Sequence, residues 1–181
     1  MGTTPPLIAT LLVDALDDLE RSLDGLTGIE AERRCPGLNP ICWTVAHLAQ
    51  HIDSWVNGIM AGEPAEPFLS TDRFRRGSGG EPAEWGAAQA ACTRVLHKAR
   101  GYLARAAGTD LEQTSPYTGN VEWLKGKPIP GKYRLARLVA HVYYHVGDIT
   151  AVRATMGHSA SDFPSLLPVS LDALGRRPDK P

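Results

Sequence analysis

Apolar residues recur at three- and four-residue spacing in four stretches, the period of a helix with one buried face. In the first, about 6–24, Ile8, Leu12, Ala15, Leu19 and Leu23 form the stripe. Pro5-Pro6 opens it, and Gly25 and Gly28 follow it. The second, about 40–61, carries Ile41, Val45, Leu48, Ile52, Trp55 and Ile59. Asn39 suits the N-cap, Pro40 the first helical position, and Gly62 and Pro64 stop the pattern. The third, 82–107, is alanine-rich, with Trp85, Ala88, Cys92, Val95, Ala99 and Leu103 in phase. The fourth, 133–156, carries Leu135, Leu138, Val142, Val146, Ile149 and Val152, with Gly157 where a C′ glycine is expected. Residues 62–81 and 108–131 are Gly/Pro-rich connections. Val121–Leu124 is too short to found a sheet. The pattern predicts an all-α fold: a four-helix bundle with long connections, one of which can cross over the bundle.

Composition adds limits. The 181 residues suit one domain, 1–160, with a partly irregular C-terminal extension at 161–181. A formal charge of −1 speaks against a nucleic-acid partner recruited by a basic face. No apolar run nears the roughly 18 residues that would span a membrane. The first residues lack the basic n-region of a secretory leader. Three scattered cysteines, Cys35, Cys42 and Cys92, make no disulfide framework, so a reducing cytoplasm is expected.

Four of the six histidines form two i, i+4 pairs: His47 and His51 in the second helix, His141 and His145 in the fourth. Residues four apart share a helix face, so two imidazoles can converge on one metal ion. Val142 follows His141 where a metalloprotease motif has Glu, which makes a protease a poor reading. At about 100° per residue, His51 and His145 lie about 60° from the reference apolar residue of their stripes, and His47 and His141 about 100°. The geometry favours His51, His141 and His145 as a three-histidine metal set. It turns His47 toward solvent or a neighbouring helix. The bland alternative is a solvated or mutually hydrogen-bonded group of imidazoles.

WTVAHLAQHIDSW resembles the second-helix signature of the DinB-like superfamily, in which a histidine stands eight residues after a Trp. Here Trp43 is followed at that distance by His51. LVAHVYYHVGDITAVRATMG resembles the fourth-helix signature through His141, His145, Gly147, Ile149, Val152, Arg153 and Gly157. The superfamily includes damage-inducible DinB proteins, mycothiol-dependent maleylpyruvate isomerases and thiol S-transferases. The resemblance implies an up-down-down-up bundle with nickel or zinc on His51, His141 and His145. It also implies a possible role for a low-molecular-weight thiol.

Three neutral imidazoles leave a divalent ion open positions, the mark of a catalytic site. Such an ion can lower the pKa of bound water or thiol and polarise a carbonyl. Asp148 can accept from an imidazole N–H or serve as a base; its alternative is a solvated helix acid. Arg153 can clamp a carboxylate or close the helix C-terminus against the dipole. Tyr117, Trp123, Lys125, Lys127, Lys132 and Tyr133 precede the metal helix and can overhang the site; the alternative is a packed loop with a solvated rim. Asp53 is expected at the surface. GSGG at 77–80 lacks the following Lys-Ser/Thr of a phosphate loop. The leading expectation is a metal-dependent enzyme on a small-molecule substrate: a thiol-dependent S-transferase or isomerase, or a hydrolase. The alternatives are a non-catalytic metal-binding stress protein acting as a homodimer, and a metal-free helical interaction module.

Overall fold

The computed structural model describes residues 5–119 and 121–158; the extension expected at 161–181 lies outside them. The chain is mainly helical. The four expected stretches become α1 (Leu7–Ser22), α3 (Ile41–Ile52, continued by a π-helix over Asp53–Met60), α4 (Trp85–Arg105) and α6 (Gly131–Thr155). Two one-turn helices, α2 (Gly28–Glu32) and α5 (Gly108–Glu112), lie within the connections. They are too short to show a hydrophobic period. Thr27 and Glu30 close a capping box on α2. β1 (Thr114–Pro116) pairs antiparallel with β2 (Pro128–Pro130), Ser115 opposite Ile129. This short ladder lay outside the expected elements, and Val121–Leu124 supplies a 3₁₀ turn rather than a strand.

Packing follows the stripes. α1 lies along α6 and α3 along α4, while α3 also meets α6 and α1 meets α4. Leu12, Leu16, Leu19, Leu48, Ile52, Leu96, Leu135 and Ile149 are buried in the shared core. Gly157 has φ +87°, and His158 N–H returns to the Arg153 carbonyl, so α6 ends as its glycine predicts. α3 begins differently from expectation: Pro40 is its N-cap, with no side-chain cap bond from Asn39. No described helix is long and apolar enough to cross a membrane.

The second half of α3 departs most from the simple period. A π-helix takes an extra residue per hydrogen-bonded turn and rotates the faces that follow. Asp53, expected at the surface, is buried. Its Oδ1 accepts from Asn57 Nδ2 at 3.0 Å and its Oδ2 from the Glu66 N–H at 2.7 Å. Asn57 also donates to the Val95 carbonyl. Asp53 thus ties the connection that follows back onto α3 and α4.

Candidate metal centre

The first half of α3 is buried almost all round, ten of its twelve residues, so its polar side chains need partners inside. The connection after it supplies them. Phe74 is buried in an otherwise exposed 3₁₀ turn, and its carbonyl accepts from His47 Nδ1–H at 2.6 Å. The adjacent Arg73 carbonyl accepts from Trp43 Nε1–H at 2.9 Å, and Trp43 stacks on His47 at 4.9 Å. Gln50 donates to the Leu69 and Thr71 carbonyls. The connection is therefore docked along α3 and covers the side on which His47 stands. His47 is only 4% exposed, so of the two sides expected for it, solvent or a neighbouring helix, it takes the second.

All four imidazoles meet. Ring centres lie 4.7 Å apart for His47–His51, 5.2 Å for His47–His141, 5.1 Å for His47–His145, 4.6 Å for His51–His141 and 4.7 Å for His141–His145. On α6, His145 Nδ1–H donates to Asp148 Oδ2 at 2.9 Å, so its Nε2 is the acceptor that faces inward. His141 Nε2 stands 3.1 Å from that atom. Two metal–nitrogen bonds of about 2.0–2.1 Å at near-tetrahedral or right angles put their nitrogens about 2.9–3.4 Å apart. The observed spacing suits two ligands of one ion, and equally a hydrogen bond between the two rings. Among the described residues, His47, His141 and His145 each offer an atom within 4.8 Å of the other two. His51 abuts His47 and His141 but falls outside that set, and no hydrogen bond from the described residues anchors its ring.

The donor chemistry fits a cation. Burial pushes His51 down to about 4 and His141 to about 3, and neighbouring imidazoles add to both shifts. His47 and His145 are also lowered, chiefly by burial, and Asp148 partly opposes the shift at His145. All four rings are therefore neutral at pH 7, with lone pairs available. His47 and His145 have Nδ1–H bonded outward, to a carbonyl and a carboxylate, which is how proteins orient metal-bound imidazoles.

A cavity of about 550 Å³ opens on His47 and His145. Trp43, Tyr144, Asp148 and Arg76 share its wall with the glycines of 77–80. Gly80 has φ +62° and lies against Asn39, where a Cβ would run into the amide, so this rim is built for glycine. The GSGG segment thus borders the site as a wall. Of the residues assigned roles from sequence, Asp148 lies at the site and on the cavity. Arg153 is two turns further along α6 and lines neither described cavity. None of the described residues of 117–133 lines the cavity at the histidines, as the packed-loop alternative expects. Trp123 and Tyr133 are exposed; Lys125 pairs with Glu122 and Lys132 with Glu112. The functional contacts missed from sequence are the Phe74 carbonyl and the 76–80 rim. Their signal was Phe68 and Phe74, two aromatics in a stretch otherwise reading as flexible.

The sequence profile of the DinB superfamily matches residues 11–149, which contain the whole imidazole cluster. A crystal structure described as the conserved protein of locus from Enterococcus faecalis has a similar fold. Its TM-score is 0.63 at 17% identity, with 87% of this chain and 99% of that one covered. No curated protein matches.

Proposed function

This chain belongs to the DinB superfamily, and from that premise we propose that it is a metal-dependent enzyme acting on a small molecule. The reaction class is a thiol-dependent S-transferase or isomerase, or a hydrolase. The observation that carries the reading is the cavity on His47, His145 and Asp148: a purely structural metal site is closed by its ligands, whereas this cluster faces a concave, polar space. A divalent ion bound there would lower the pKa of a bound water or thiol toward neutrality. Imidazole ligands suit nickel and zinc alike.

His141 and His145 supply two ligands, and α3 the third. Proximity of the ring nitrogens and the Phe74 anchor favour His47. The family motif favours His51. Asp148, half-exposed to the cavity, holds the His145 tautomer and stands where it can take a proton from a bound substrate. Tyr144 and Arg76 give the cavity an aromatic edge and a positive rim for an anionic substrate. The helix directions are proposed as up-down-down-up. Met60 at the end of α3 lies beside Gly131 at the start of α6, and Glu32 ahead of α3 bonds Trp85 N at the start of α4.

Metal-stripped protein reloaded with Co(II) and titrated with a low-molecular-weight thiol tests the reading. Direct sulfur ligation should produce a near-UV charge-transfer band and alter the visible spectrum. No response to any thiol or carboxylate at millimolar concentration would leave a metal-binding protein without turnover.

A further inference from the structure

The start of α6 holds a second buried polar centre, unrelated to the imidazoles. Arg134 is 2% exposed, yet no carboxylate among the described residues pairs with it. Its hydrogen bonds all run through Nη2, to the Ser115 carbonyl at 3.0 Å, Ser115 Oγ at 2.9 Å and the Pro116 carbonyl at 3.1 Å. The guanidinium lies over the Trp55 ring at 5.6 Å. Nε and Nη1 have no partner among the described residues. Neutral oxygens and a ring face solvate the charge but do not balance it, and a guanidinium cannot shed its proton to escape the cost.

A cavity of about 370 Å³ adjoins it. Arg134, Arg105, Tyr102, Gln113 and Thr114 line it, and Gly131 brings the N-terminus of α6 to its wall. α6 has no side-chain cap; its first N–H, that of Gly131, donates to the Gln113 carbonyl at 3.0 Å. Arg105 has no carboxylate partner among the described residues; it bonds the Gly101 carbonyl and lies over Tyr102. The lone carboxylate on the wall, Asp110, is engaged with the Ala107 N–H at 2.8 Å. None of the lining residues is shared with the cavity at the histidines, and Trp55 stands between Arg134 and His51.

We infer that this cavity is a binding site for the anionic group, carboxylate or phosphate, of a small molecule. Nε–H and Nη1–H of Arg134 lie on different edges of the guanidinium, so each is a single charge-assisted donor to such a group, and Arg105 adds positive potential. The inference is independent of metal binding at the imidazoles.

The test uses the full chain stripped of metal, so that no anion can report through an ion at the histidines. The arginine Nε–H signals are followed by ¹⁵N NMR during separate titrations with acetate and inorganic phosphate at constant ionic strength in chloride. The Arg134 signal is assigned by its loss in Arg134→Lys, or by side-chain correlation if that variant does not fold. A saturable shift of that signal is expected, with acetate or phosphate identifying the preferred group. Arg105→Met, at an exposed position, should weaken the affinity by about tenfold. No saturable shift with either anion at millimolar concentration overturns the inference. So does an affinity unchanged in Arg105→Met.

Discussion

α6 carries two buried polar centres seven residues apart, about 10 Å along the helix, and they solve burial in opposite ways. At His141 and His145 the side chain can give up its charge. Desolvation drives the imidazoles neutral, and the cluster becomes a set of lone pairs suited to a cation. At Arg134 burial also pulls the guanidinium below its ordinary value, but the group remains cationic. The fold surrounds it with carbonyls, a hydroxyl and an indole face instead. One helix thus presents a cation-seeking end and an anion-seeking end, and the difference follows from the two side chains' reference pKa values.

The largest effect that can break this contrast is loss of the metal centre. The His141→Ala/His145→Ala variant should lose stoichiometric binding of nickel or zinc, measured by metal analysis of untagged protein after dialysis. Retained stoichiometry would remove both residues from the ligand set. His47→Ala and His51→Ala, compared in the same assay, identify the third ligand: the geometry expects the greater loss from His47→Ala.

A smaller effect is expected at Asp148. Asp148→Asn keeps the shape but weakens the hold on His145 Nδ1–H, and metal affinity should fall by about 10–100-fold. An unchanged affinity would make Asp148 a bystander at the cavity wall.

The imidazoles also predict an acid response of the metal-free protein. Their folded pKa values lie below the unfolded value near 6.5, so the unfolded chain binds more protons between that value and about 4, the value for His51. Stability is unpenalised above about pH 6.5 and falls as pH drops toward 4, by up to about 1.4 kcal/mol per pH unit for each imidazole. Urea unfolding at stepped pH checks this. A flat profile from pH 7 to 5 would contradict neutral burial. His47→Gln should flatten part of the slope.

The smallest expected effect is at the other centre. Arg134→Met leaves the Ser115 and Pro116 carbonyls without their donor and should cost about 1–3 kcal/mol. Metal binding should be unaffected. If this variant also loses metal, the two centres are coupled rather than separate.

Much of the fold was legible because helices advertise themselves locally. α1, α4 and α6 fall within three residues of the periods that Leu12, Val95 and Val142 belong to. The π-helix was not legible. Asp53 reads as a surface position at 3.6 residues per turn and is buried because Asn57 and the Glu66 N–H, from the connection that follows, close over it. The wheel left His47 between solvent and a neighbouring helix, because it reports one helix's apolar face and nothing about what covers the other side.

The sequence by itself determined a helical chain and brought four imidazoles to two helix faces, because side-chain period and i, i+4 spacing are properties of neighbouring residues. Only the tertiary structure decided that His47 joins the cluster and that Arg134 is enclosed. The Phe74 carbonyl reaches His47 across 27 residues, and the Ser115 carbonyl reaches Arg134 across 19. Backbone oxygens carry no residue-specific sequence signal. Where they satisfy buried side chains, the partner exists only once the chain has folded.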